Sequence, residues 1–165
     1  MHPALDEAQI GGDFYDLFPL DKQLYAFVIG DVSGKGLAAA QQLALIRNSL
    51  RTALYMYRDP VQASQTVNTI VTSHDLLGGS GGFVTAWIGV VDAAAGVIRY
   101  CSCGHVPAMV RSTDGSVRLL ENTGLPLGIV LTAEYVSGEV SLRTDEVLFL
   151  CTDGLTESGQ TRNDM

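Results

Sequence analysis

No apolar run in the chain approaches the roughly 20 residues that a membrane-spanning helix requires. Met1 to Gly12 also lacks a basic start followed by an apolar stretch, so no targeting segment is read there. Basic residues are scarce: ten Lys and Arg stand against eighteen Asp and Glu, for a net charge of -8. With an isoelectric point near 4.6, the composition excludes a nucleic-acid footprint or an anionic membrane surface as partner, since both need clustered positive charge. Cysteine is sparse as well. Three residues cannot all pair, and Cys101 and Cys103 fall two apart in an expected strand, which excludes a secreted disulfide framework and points to a reducing cytoplasm. The sequence offers no Gly-x-Ser-x-Gly nucleophile elbow. It has neither an internal repeat nor a low-complexity tract.

What is present suits one domain of 165 residues, of which 47% are apolar. Leu24 to Gly30 is short, aromatic and β-branched, which predicts a buried strand. From Leu37 to about Tyr57 the apolar residues Leu43, Ile46, Leu50, Leu54 and Tyr57 recur at helical spacing. Asp59-Pro60 followed by Gln62 is a helix start, with Asp as N-cap and Pro at the first helical position. A second helix with the stripe Ala63, Val67, Ile70, Val71 and His74 then runs to the glycines at 78–82. Beyond them the pattern predicts an antiparallel meander over Phe83–Asp92, Val97–Cys103, Val106–Arg111 and Val117–Glu121, then strands over Tyr135–Leu142 and Glu146–Cys151.

The stretch Ile29 to Ala40, IGDVSGKGLAAA, poses a choice between a phosphate loop and a metal loop. A Walker loop needs four residues between its first Gly and the Gly-Lys pair, then Ser or Thr. Here three residues separate Gly30 from Gly34, Gly36 follows Lys35, and Asp31 would repel a phosphate. A nucleotide switch is therefore disfavoured. An Asp at a strand end flanked by glycine suits a hard divalent cation that takes oxygen ligands. Asp153, in Thr152-Asp153-Gly154, repeats the arrangement, and Asp13 follows Gly11 and Gly12. Neighbouring strands lie about 4.8 Å apart, so acidic residues at one sheet end can meet around one or two cations. Two such cations would activate a water for attack on a phosphoryl group, with no nucleophilic side chain needed.

Gly11-Gly12-Asp13-Phe14-Tyr15-Asp16, Gly30-Asp31-Val32-Ser33-Gly34-Lys35-Gly36, Gly104-His105-Val106-Pro107, Gly124-Leu125-Pro126-Leu127-Gly128 and Thr152-Asp153-Gly154-Leu155-Thr156-Glu157 occur in that order. Together they resemble the metal-dependent PPM (protein phosphatase 2C-like) serine/threonine phosphatases, in the bacterial SpoIIE- and RsbU-like branch. The resemblance implies an α+β fold, a layered sandwich of two mainly antiparallel β-sheets flanked by α-helices. It implies two Mn²⁺ or Mg²⁺ ions, with Asp31 bridging them, the Val32 carbonyl as a further ligand, Asp13 serving one ion and Asp153 the other. The implied activity is dephosphorylation of phosphoserine or phosphothreonine in a regulatory protein by a metal-activated water. In this branch the substrate is often an anti-sigma factor antagonist, which links the domain to sigma factor regulation and signal transduction. The helices over residues 37–77 resemble the part through which an attached sensor or regulatory domain acts.

Members of the resembled family continue past Thr-Asp-Gly to a final strand with an acidic pair, whereas this chain ends at Met165, and Met1 to Gln9 leaves little of a first strand. The expectation is a single domain over residues 1–165, incomplete at both ends and truncated at the C-terminus. A lost ligand weakens metal affinity, and an exposed sheet edge invites pairing into a homodimer. The alternative to an active enzyme is accordingly a catalytically impaired module of the same fold, serving regulation or dimerisation without a complete metal site. Asp16 reads as a solvated loop carboxylate at least as readily as one held near the metals through waters, and Lys35 as a solvated charge more readily than a phosphate contact. His105, Cys101 and Cys103 lack the spacing of a zinc site. Trp87 and Phe83 read as packing residues.

Overall fold

The structure is a computed structural model that describes residues 11–34, 37–73 and 82–157. Lys35, Gly36, His74 and residues 78–81, all considered above, lie outside the described residues. Strands β1 (Asp13–Pro19) and β2 (Leu24–Val32) form a hairpin, followed by helices α1 (Leu37–Tyr57) and α2 (Pro60–Ser73). Then come β3 (Val84–Asp92), β4 (Val97–Cys103), β5 (Met109–Arg111), β6 (Val117–Leu119), β7 (Gly138–Ser141), β8 (Val147–Phe149) and the short α3 (Asp153–Glu157). Five strands make one antiparallel sheet in the order β1-β2-β3-β4-β7, and three make a second in the order β6-β5-β8. The layered sandwich with helices against it is as expected.

Alternation along β2 sorts its side chains to two cores. Ala26, Val28 and Val32 join Ile46, Leu50 and Leu54 of α1 and Ala63, Val67 and Val71 of α2 on the helix side. Phe27 and Ile29 face the opposite way, where Trp87, Ile98 and Tyr100 pack on Ala108 and Val110 of the small sheet. Trp87 stacks between Phe27 and Tyr100, with ring centroids 5.3 and 4.6 Å away. Asp31 keeps the period of Phe27 and Ile29, so it belongs to the inter-sheet face at the end of its strand.

Helix α2 starts as the sequence predicts, with the Gln62 amide donating to Asp59 Oδ1 at 2.9 Å. Its buried face is partly polar. Asn68, 1% exposed, donates from Nδ2 to the Val130 and Leu131 carbonyls and accepts from the Gly128 amide at 2.9 Å. It thereby ties the segment after Pro126 to the helix layer.

Several expectations are corrected. The strands expected from Phe83 to Glu121 are not one meander: β3 and β4 stay in the large sheet while β5 and β6 cross to the small one. The segments expected over residues 106–111, 135–142 and 146–151 shorten to β5, β7 and β8. Val147 and Phe149 are exposed on β8, an edge strand. Phe83 is also exposed, and Tyr57 is 40% exposed at the end of its stripe. Asp16 lies on β1 and not in a loop, where Arg51 Nη1 donates to both its oxygens at 3.1 and 3.0 Å. Among the described residues no helix is long and apolar enough to cross a membrane.

Candidate metal centre

The three acidic strand ends converge on one edge of the sandwich. Asp13 opens β1 and sits directly opposite Asp31 in the ladder with β2. Asp153 begins α3, four residues after β8 of the small sheet ends at Phe149. The Thr152 hydroxyl donates to Asp13 Oδ2 at 3.2 Å, which joins this third segment to the first. Asp13 and Asp153 are exposed and Asp31 is half-buried.

Glycine is required at the centre of this arrangement. The Val32 amide donates to the Gly12 carbonyl at 3.0 Å, bringing the two backbones together. A Cβ at position 12 would collide with the Val32 carbonyl and with Asp31 Oδ1. Only a residue without a side chain leaves that carbonyl and carboxylate side by side.

Burial raises the Asp31 carboxyl to about 6, and the negative charges of Asp13 and Asp153 add to the rise. The three carboxylates are close enough to repel. Among the described residues, however, no three Asp, Glu, His or Cys side chains are gathered to metal-binding distance. The donor set is all oxygen and strongly anionic, which fits a hard divalent cation and not a soft one. The cradle at Gly12, which a Cβ would fill, fits the same group.

A residue for which no role could be read in the sequence also stands at this edge. Gly104 follows β4 with φ +63°, and a side chain there would strike the ring of Pro126. That turn delivers His105 to Thr85, with Nδ1 and Oγ1 3.0 Å apart, and Thr85 is the residue opposite Asp31 on β3. His105 is 4% exposed. Burial lowers its pKa, while the Cys151 backbone and the charges of Asp153 and Asp13 favour the protonated ring. The signal in the sequence was the glycine before it at a strand end. It was obscured by Cys101 and Cys103, beside which His105 was weighed only against a zinc site whose spacing the three lack. In the structure those thiols lie in the helix-side core, with Cys103 Sγ donating to Ser64 Oγ at 3.4 Å.

The model of a protein family, Stage II sporulation protein E (SpoIIE), matches residues 21–165. Phosphoserine phosphatase RsbU of Bacillus subtilis is 29% identical over 150 residues, covering 90% of this chain and 44% of that protein. Protein IcfG of Synechocystis is 28% identical over 173 residues, covering 90% of this chain and 27% of that protein. The crystal structure of the RsbU and RsbW domains of Rv1364c from Mycobacterium tuberculosis superposes with a TM-score of 0.76 at 29% identity, over 91% of this chain and 41% of that one. The chain thus spans less than half the length of each of these relatives.

Proposed function

Because this chain belongs to the SpoIIE family, we propose that it is a protein-serine/threonine phosphatase domain that uses divalent cations to hydrolyse phosphoserine or phosphothreonine. The observation that most supports this reading is the meeting of Asp13, Asp31 and Asp153 at one sheet edge, with Asp31 held protonated up to about 6. Such a carboxyl is poorly suited to stand alone and well suited to receive a cation.

The residues that would hold two Mn²⁺ or Mg²⁺ ions are Asp13, Asp31, Asp153 and the Val32 carbonyl. The chemistry such ions supply when bound is acidification of water and neutralisation of phosphoryl charge. The chain's own part is to present ionised oxygens in fixed positions. Asp31 must release its proton, Thr152 steadies Asp13 through Oδ2, and Gly12 keeps the Val32 carbonyl uncovered. With Asp13 and Asp153 exposed, a phosphorylated side chain on another protein can reach this edge. An anti-sigma factor antagonist is the substrate class we propose, with an attached sensor or regulatory domain in the parent protein. A reducing cytoplasm suits Cys101 and Cys103, which remain thiols although their Sγ atoms are 3.7 Å apart.

The test is Mn²⁺-dependent release of phosphate from a phosphoserine peptide, with Asp31→Asn in parallel. Turnover in the parent chain that disappears in Asp31→Asn supports the reading. A folded chain without turnover would favour the non-catalytic regulatory or dimerisation module, for which the exposed β8 edge is the supporting feature.

A further inference from the structure

A buried histidine that serves only as packing has both ring nitrogens satisfied, because an unpaired polar atom away from water is costly. His105 does not meet that description. Nδ1 is bonded to Thr85 Oγ1, but Nε2 is buried with no partner at hydrogen-bond geometry among the described residues. The Cys151 backbone nevertheless acts on the ring. Of the two neutral tautomers, the one with hydrogen on Nε2 lets Thr85 donate to Nδ1 and keeps a buried donor available on the side where the Cys151 backbone acts.

The ring's position gives this polarity a use. On one side Thr85 stands opposite Asp31 in the β2–β3 register. On the other, Cys151 lies two residues before Asp153 on the segment leaving the small sheet. His105 therefore sits between the backbone that carries Asp31 and the backbone that carries Asp153. The surroundings hold it there. Gly104 accepts its turn against Pro126, its amide donates to the Gly124 carbonyl at 3.0 Å, and Leu127 exchanges backbone hydrogen bonds with Val84, next to Thr85.

We propose that His105 is a positioning residue that spans the two sheets, using Thr85 and the Cys151 backbone to set Asp153 at its working distance from Asp31. This rests on the metal-centre reading above. Partners that orient metal-ligating groups typically change metal affinity 10- to 100-fold when removed, so the effect belongs in cation binding as well as in turnover.

The experiment is calorimetric titration with Mn²⁺ of the parent chain, His105→Ala, His105→Gln, Thr85→Val and Asp31→Asn, each with a thermal melt. His105→Ala is expected to weaken Mn²⁺ binding about tenfold or more. His105→Gln, whose amide can still donate, should recover part of the loss, and Thr85→Val should weaken binding in the same direction. His105→Ala combined with Thr85→Val should lose less affinity than the sum of the two single losses. Wild-type Mn²⁺ affinity in folded His105→Ala overturns the proposal. So does a lower melting temperature with unchanged affinity. Should His105→Ala fail to fold, Thr85→Val decides, since it removes one hydroxyl and keeps the side chain's shape; unchanged affinity there overturns the proposal too. Asp31→Asn separates the two readings. Retained Mn²⁺ binding in that variant sinks the metal centre itself, whereas loss there beside normal His105 and Thr85 variants sinks only the positioning role.

Discussion

Asp13 lies directly opposite Asp31 in the β1–β2 ladder, so two carboxylates face each other across a single strand spacing at the end of the sheet. Neither helix layer nor small sheet closes over Asp13, which stays exposed. Folding thus brings like charges together at a place that water and solutes can reach.

This pairing has a pH signature. The folded chain holds a proton on Asp31 up to about 6, against an ordinary value of 3.8. Between these values the unfolded chain has already released its proton, so stability falls as pH rises through that window. Urea unfolding in EDTA should show a lower midpoint at about pH 7 than at about pH 4.5 from this group, moderated by solvent screening. Asp31→Asn should remove that contribution, and Mn²⁺ should restore stability at the higher pH. An identical pH profile in parent and variant would refute the assignment.

Gly12→Ala places a methyl group against the Val32 carbonyl and Asp31 Oδ1. Overpacking of this kind typically costs about 1–3 kcal/mol. The denaturation midpoint should drop accordingly and Mn²⁺ binding should weaken together with it. A variant as stable and as avid as the parent would show that the backbones can part without consequence.

Asn68→Ala removes the partner of two carbonyls and one amide in the segment 128–131. Leaving a fully buried backbone group unpaired costs roughly 1–3 kcal/mol, and less for these part-buried ones, which water can reach once the amide is gone. We expect a loss of about 2–4 kcal/mol in chemical denaturation, with faster amide hydrogen exchange at Gly128. A loss below about 0.5 kcal/mol, the scale of a surface substitution, would mean that solvent already serves these groups.

Thiol reactivity sets access against acidity. Hydrogen bonds from Cys103, opposed by burial, bring the Cys101 thiol down to about 7, yet Cys101 is wholly buried and Cys151 is half-buried. Alkylation requires contact, so access should win. Iodoacetamide on the folded chain should label Cys151 first, as read by peptide mass spectrometry. Faster labelling of Cys101 would show that the helix-side core opens readily.

Much of this architecture was legible because local chemistry and tertiary structure agree. The spacing of Ile46, Leu50 and Leu54 predicts the buried face of α1, and Asp59-Pro60 predicts the start of α2. The acidic strand ends could be read as a group because Asp13, Asp31 and Asp153 each stand beside glycine where an expected strand begins or ends. The division of strands between sheets was not legible, since period-two patterns in β4 and β5 look alike whichever sheet they join. Asn68 and Ser64 interrupt an apolar stripe, and only the loop and the thiol packed against them show why. His105 depends on a contact with Thr85, twenty residues earlier in the chain. No local pattern encodes that distance.

The stacked ring at the seam between the sheets has an optical consequence. Trp87 is the only tryptophan in the chain, so indole emission arises from one point, buried between Phe27 and Tyr100. The helices pack on the opposite face of the same large sheet. Fluorescence therefore follows the seam between sheets while far-ultraviolet circular dichroism is weighted toward the helix layer. Coincident melts by the two signals would mark a single cooperative body. A red shift preceding the loss of helical signal would show that the small sheet peels away first.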